Sequence, residues 1–432
     1  MKKVIKPLYF IVLTLFLCLI SAVPLWADEN QDTFSIDAKA AIAVDADTGK
    51  IFYAQDSTTP LPIASITKVL SIYVVYDQIK AGKLSLQDQV TISPELASLS
   101  VQPDLSNVPL VANASYTVEE LIHASLIQSA NAAVMALGEK VAGNQKDFVD
   151  MMRQKAESLD IHDAKIISVS GLNNSYLGDF SYPGSASDEE NEMSAQDVAI
   201  IASQFIKDYP EVLNITSTVQ ETFGVSSQQP SLMTNWNQLL PGLAMGKPGV
   251  LGLKTGTTDL AGACFVGVIE QNNRRVITVV LHANNQENDP SARFVETNKL
   301  MDYALNQWQA VEVLKAEEGI PNLTQVDVKN GKTFHAAVTN QKSYTLWLPV
   351  NFDRNQLSYE VTLSDKVIEA PIKINRKVGN LTISNPQDPY GYLPNAKNPS
   401  VTGPIITTES VQKANFFVII YRNIKDFFSK IF

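Results

Sequence analysis

The spacing of apolar positions changes character partway along the chain. Up to residue 309, short apolar runs alternate with longer stretches of helical period; from 310 to 385, short β-like runs follow one another. Residues 40–44 and 51–54 read as two strands joined by the turn Asp47-Thr48-Gly49-Lys50. A helix comes next. Pro62 is tolerated at a helix start but not inside one, apolar positions continue without a breaker to Ile79, and Gly82 closes the end. Ser65 is therefore expected in the first turn of a buried helix. Lys68, three residues on, falls on the same face.

Residues 83–116 are polar and loop-rich, with Pro94, Pro103 and Pro109. Thr117-Val118-Glu119-Glu120 has the form of a capping box and opens a helix through Leu121, Ile122, Leu126 and Ile127. After Ser129-Ala130-Asn131 an alanine-rich helix continues to Ala142 and stops at Gly143. Residues 145–223 read as mostly helical, with 148–159 amphipathic and 181–192 a surface loop. Residues 263–269 and 276–282 flank Gln271-Asn272-Asn273-Arg274 as a hairpin, and Lys254-Thr255-Gly256 lies on the strand before it. Strands on either side of helices predict a sheet covered by helices.

In the β-like half, residues 324–329 lead to the hairpin signal Asn330-Gly331, and four further runs (344–350, 357–363, 367–374 and 381–383) complete a small all-β module. Pro386, Pro389, Pro394, Pro399 and Pro404 then read as a semi-rigid linker over 386–411. In 412–432 the apolar residues gather on one face at about 100° per residue, opposite Arg422, Lys425 and Lys430. Charges interrupt this stretch too often for a bilayer span, so it is expected to lie in the plane of a membrane surface.

The chain has 432 residues, 45% of them hydrophobic, and a formal net charge of −11, which argues against a nucleic-acid partner. Lys2, Lys3 and Lys6 precede the uncharged stretch 7–27, the pattern of a secretory signal cleaved after Ala27. Cys18 lies in that signal, so Cys264 is left alone and no intramolecular disulfide is expected. His123, His162, His282 and His335 show no metal-ligand spacing; neither a metal nor a cofactor is expected.

Candidate chemistry sits at three places. A serine hydroxyl is a weak nucleophile that needs a base, and Lys68 can serve Ser65 if burial or a neighbouring cation lowers its pKa. A helix N-terminus also supplies unpaired N–H groups for a developing oxyanion. Ser129-x-Asn131 can present a hydroxyl and an amide to a cleft. Lys254 and Thr255 offer a cation and a hydroxyl suited to a carboxylate, and Gly256 lets another group approach the backbone closely.

Ser-x-x-Lys, Ser-x-Asn and Lys-Thr-Gly, in this order, together mark the penicillin-binding proteins and serine β-lactamases. The chain resembles a low-molecular-mass penicillin-binding protein, a serine-type D-alanyl-D-alanine carboxypeptidase. Leu61-Pro62-Ile63-Ala64-Ser65, Asn191-Glu192-Met193-Ser194-Ala195-Gln196-Asp197 and Gly252-Leu253-Lys254-Thr255-Gly256 carry the same resemblance, as does the order of segments.

The resemblance implies an α+β fold: an antiparallel sheet flanked by helices plus a helical subdomain over 28–309, an all-β domain over 310–385, and a C-terminal amphipathic helix. It implies Ser65 as nucleophile, Lys68 as base, Ser129 as proton relay, Asn131 holding the substrate amide and Lys254 keeping the field positive. The N–H groups of Ser65 and Thr257 would form the oxyanion hole. Thr255, Gly256, Thr257 and Arg293 would line the substrate's carboxylate end. The implied partners are a peptidoglycan stem peptide and β-lactams. Ala130, where class A β-lactamases carry Asp, speaks against the lactamase alternative, and the intact motifs speak against a non-catalytic sensor.

Overall fold

A computed structural model describes residues 34–224, 229–396 and 401–429. The expected signal, 1–27, lies outside the described residues. Five strands form the central sheet: β1 (Ala38–Asp45), β2 (Ile51–Gln55), β3 (Val250–Thr258), β4 (Gly262–Gln271) and β5 (Arg274–Ala283). Their order is β2-β1-β5-β4-β3 and every pairing is antiparallel. β3 is therefore an edge strand, with one row of backbone groups free of the ladder.

Alternate side chains of a strand face opposite sides. Val266 and Val268 of β4 join Ile42 and Val44 in the main core with the helical region. Phe265 turns the other way, 5.5 Å from Phe294 of the helix Ala292–Gln307. Gly267 shares that side, where the Met301 side chain occupies the space a β-carbon would need. The sheet is thus covered on both faces.

The helices that matter for the site are α1 (Thr67–Lys80), α2 (Val118–Ile127) and α3 (Asn131–Ala142). α1 is buried along ten of its residues, from Thr67 to Tyr76, which is why it has no polar face until its last turn. α2 starts at the capping box read from Thr117 and Glu120, with both reciprocal hydrogen bonds present. α3 stops at Gly143 in the left-handed conformation.

The start of α1 differs from expectation. Leu61–Pro62 pairs as a short strand with Glu192–Met193, and Ser65 lies in a single 3-10 turn, Ala64–Ile66, ahead of the α-helix. Pro62 ends an extended segment instead of opening a helix. The region 83–116 also holds a helix, Pro94–Ser100, capped by Ser93.

The β module follows the helix Ala292–Gln307, with its own hydrophobic core around Val326, Val338, Leu346, Leu381 and Ile405. Here the linker expected over 386–411 is corrected. Thr402–Thr407 is an interior strand of a six-stranded sheet, paired with Lys377–Ser384 on one side and His335–Asn340 on the other. Pro404 removes one ladder donor from that strand, the feature that makes such a stretch read as linker. The part before it returns to the domain of the central sheet: Lys50, fully buried, donates from Nζ to Asp388 Oδ1 at 2.9 Å and to the Gly391 carbonyl at 3.0 Å. Its ammonium also lies 4.6 Å from the Trp308 ring centroid.

The last element is the helix Phe416–Ser429. Phe416, Phe417, Tyr421, Ile424 and Phe427 are all more than half exposed on it. No helix among the described residues is long and apolar enough to cross a membrane.

Candidate active site

The 3-10 turn sets Ser65 at the mouth of a cleft and Lys68 beneath it. Lys68 Nζ lies 2.8 Å from Ser65 Oγ, and it also donates to Asn131 Oδ1 and to the Ser170 carbonyl, each at 2.8 Å. A neutral amine has two N–H donors and one lone pair; with the donors held by Asn131 and the Ser170 carbonyl, the lone pair is left for the Ser65 hydroxyl and the amine cannot swing away from the serine. Lys68 is wholly buried. Burial, and next the Lys254 ammonium, hold its pKa well below the ordinary lysine range.

Ser129 occupies the turn between α2 and α3 in the left-handed conformation, φ 60°. The strain is held by its neighbours: the Ala130 N–H donates to Ala124 O and the Asn131 N–H to Ser106 O, both at 3.0 Å. Asn131 opens α3; its Nδ2 donates to Ser106 O at 3.0 Å while its Oδ1 accepts from Lys68. These fixed partners set the amide's orientation.

β3 closes the third side. Gly256 lies against the serine turn: a β-carbon there would stand 2.6 Å from the Ile63 carbonyl oxygen and 3.2 Å from the Ile66 nitrogen. Only glycine allows this strand to reach the nucleophile. Lys254 is buried, with Nζ donating to the Thr255 carbonyl at 3.0 Å. Burial, and then the charge of Arg293, push its pKa down to about 7. Register places the Lys254 side chain beside Val266, and Thr255 beside Phe265 on the other face of β3. Thr257 shares the face of Thr255 but is exposed and lines the cleft. Arg293 sits behind β3, its Nη1 donating to Gly256 O at 2.8 Å and Cys264 O at 3.2 Å. Its positive charge reaches the strand, and its Nε has no partner among the described residues.

The cleft has a volume of about 500 Å³; Ser65, Asn131, Gly171, Tyr176, Thr257 and Leu260 are among its walls. Three residues that position the machinery were given no role from the sequence, although Asn191 opens one of the runs that carry the resemblance. Ser170 supplies the carbonyl that holds Lys68. Gly171 backs onto the turn before Ser65. Asn191 ties both to α1: Oδ1 accepts from the Ile167 and Ser168 N–H groups at 2.7 and 2.9 Å, and Nδ2 donates to Thr67 Oγ1 and Ser168 O at 3.0 and 2.8 Å. The isolated Gly171 after Ser168-Val169-Ser170 was the available signal of a close backbone approach.

The model of the Peptidase_S11 family, D-alanyl-D-alanine carboxypeptidase, matches residues 27–285. The chain belongs to this family. As in a penicillin-binding protein of this type, a second family model, the penicillin-binding protein 5 C-terminal domain, matches residues 308–413. That match runs through the strand Thr402–Thr407, in agreement with the corrected β module. The D-alanyl-D-alanine carboxypeptidase DacF of Bacillus subtilis is 27% identical over 390 residues, 90% of each chain. Among solved structures, the peptidoglycan synthesis regulatory factor PBP3 of Streptococcus pneumoniae aligns with a TM-score of 0.69 and 39% identity, covering 88% of this chain and all of that one. Penicillin-binding protein D2 of Listeria monocytogenes, solved with ampicillin bound, aligns with a TM-score of 0.52 and 27% identity over 63% of this chain and 99% of its own. The chain is thus a serine peptidase of the carboxypeptidase family with the family's two-domain α+β fold.

Proposed function

We propose that Ser65 attacks the carbonyl between the two terminal D-alanines of a peptidoglycan stem peptide and forms an acyl-enzyme. Lys68, neutral at the start, takes the Ser65 proton as the Oγ–C bond forms. Ser129 relays that proton from Lys68 to the nitrogen of the leaving D-alanine, so the C–N bond breaks and Lys68 is neutral again. Asn131 holds the substrate amide, and the backbone N–H groups of Ser65 and Thr257 receive the oxyanion. One such donor is worth about 3 kcal/mol of barrier. Thr255 and Thr257, with Lys254 and Arg293 behind them, meet the terminal carboxylate. Water then attacks the ester, giving the shortened peptide and restoring Ser65.

The observation that carries this reading is the wholly buried Lys68 amine, 2.8 Å from Ser65 Oγ, with its pKa held low. β-Lactams, which pair a reactive amide with a carboxylate, acylate the same serine and block it. Residues 1–27 act as the export signal. The exposed apolar face of the helix Phe416–Ser429 lies on the outer surface of the cytoplasmic membrane, so that the enzyme trims stem peptides and limits their cross-linking.

The test is release of free D-alanine from a synthetic pentapeptide ending in D-Ala-D-Ala. The parent enzyme should release it and turn benzylpenicillin over only slowly; Ser65→Ala should do neither. Rapid penicillin hydrolysis without D-alanine release would instead identify a β-lactamase.

A further inference from the structure

A second cavity, of about 260 Å³, opens on the helical side of the molecule. α1 contributes Tyr76, α2 contributes Glu119 and Ile122, and Glu211 and Ile215 come from the short helix Val212–Thr216 and the residue before it. Leu86 and Ile122 give it apolar wall, while Glu119, Glu211 and Tyr76 give it oxygen atoms.

Tyr76 is only 6% exposed, and among the described residues its hydroxyl makes no hydrogen bond. The hydroxyl is the accessible end of an otherwise buried side chain that lines the cavity, so it is free to meet a ligand atom there. Burial, followed by the charges of Glu211 and Glu119, pushes this hydroxyl up to about 12, which places both carboxylates in its neighbourhood. Two of the other side chains at the wall, His123 and Glu119, already have partners. His123 Nδ1 lies 2.9 Å and 3.0 Å from the two Glu221 oxygens. Glu119 accepts from Gln87 Nε2 at 3.1 Å. Lys80, the nearby cation, lies 5.3 Å over the Tyr209 ring and interacts with Asp208. Among the described residues neither Glu119 nor Glu211 is in an ion pair.

We propose that this cavity binds a small organic ammonium ion. Its N–H groups donate to Glu119, Glu211 and the Tyr76 oxygen, and its alkyl part covers Leu86, Ile122 and Ile215. The volume lies below the usual range for drug-sized ligands, about 300–1,000 Å³, and so limits the ligand to a short alkyl chain. The site is separate from the cleft but shares α1 and α2 with it and is one residue removed from β3. α1 carries Lys68, α2 ends at the Ser129 turn, and Thr216 donates to the Leu251 carbonyl at 2.7 Å on the strand of Lys254.

An alkylammonium group can come from a free diamine or from a lysine side chain. The experiment is calorimetric titration of the full chain, first acylated with benzylpenicillin to fill the cleft. The probes are 1,4-diaminobutane, Nα-acetyl-lysine methylamide and, as the uncharged control, 1-butanol. Saturable one-site binding of at least one amine, without binding of butanol, is expected; the tighter amine names the source. The double variant E119Q/E211Q should weaken it by about tenfold or more. T218W, at another wall of the cavity, should abolish it, which keeps the test intact if the double variant does not fold. Unchanged rates of penicillin acylation confirm that either variant is folded. No saturable amine binding, or equal affinity in the folded variants, overturns the proposal.

Discussion

Gly171 stands directly behind Ala64: a β-carbon at Gly171 would lie 2.0 Å from the Ala64 carbonyl oxygen and 2.7 Å from Thr67 Oγ1. Both residues have positive φ, 79° and 48°. The left-handed turn that aims Ser65 is therefore seated on a glycine from a distant part of the chain. Gly171→Ala should destabilise the fold by about 3 kcal/mol, combining backbone strain with a clash that backbone atoms cannot avoid. The same variant should acylate with penicillin far more slowly at temperatures where it remains folded. Thermal melts and stopped-flow acylation check the two parts; near-parental acylation would show that the seat is not needed.

Asn191→Ala removes four buried hydrogen bonds that join 167–168 to α1. Each buried group left unpaired costs about 1–3 kcal/mol. A loss of roughly 3 kcal/mol is expected after local relaxation, with a slower acylation rate because Ser170, which anchors Lys68, loses its support. Denaturant midpoints measure the first and acylation kinetics the second. A stability loss with a parental rate would confine Asn191 to folding.

Lys254 gives a pH prediction. Its pKa is about 7 in the folded chain against 10.5 when exposed. Between these values the unfolded chain holds a proton that the folded chain lacks, so stability rises with pH across that window. Below about 7 both states hold the proton, and the folded state bears the whole cost of a buried charge. Lys254→Met should therefore stabilise the protein by roughly 2–4 kcal/mol below pH 7, with a smaller gain at higher pH, while abolishing activity. In the parent enzyme, acylation needs Lys68 neutral and Lys254 charged, so the rate should fall as pH rises through about 7. Lys254→Arg, whose charge does not titrate there, should shift that falling limb upward. A rate that keeps rising through pH 9 would remove Lys254 from this role.

Much of this arrangement was legible in the sequence because it depends on local chemistry. The capping box at Thr117 and Glu120, the stop at Gly143 and the hairpin around Asn272 each fix their element by short-range bonds. Of the motif residues only the Ser65–Lys68 pairing, three residues apart, is local in this sense; the roles expected for Ser129, Asn131 and Lys254 came from the resemblance. What stayed hidden depends on distant contacts. The helix expected from Pro62 begins instead with a 3-10 turn, because Gly171, Gly256 and the Glu192–Met193 strand hold 61–66 from outside. Ser170 and Asn191 act through a backbone carbonyl and a buried amide, which leave no periodic trace. Pro404 disguised an interior strand as linker, since only the finished sheet compensates for its missing donor.

The helix Phe416–Ser429 tests the membrane reading. Phe417 is 80% exposed and Ile424 52%, both on its apolar side. The double change F417S/I424S should abolish sedimentation with anionic lipid vesicles while leaving D-alanine release in solution unchanged. Retained vesicle binding would place the membrane contact elsewhere.

The most direct measurement is the position of the covalent adduct. Benzylpenicillin-treated protein, digested and sequenced by mass spectrometry, should carry one penicilloyl group on Ser65, and none should form when Lys68 is replaced by Ala. An adduct on Ser129 or any other residue, or an undiminished Ser65 adduct without Lys68, would contradict a mechanism in which that lysine activates that serine.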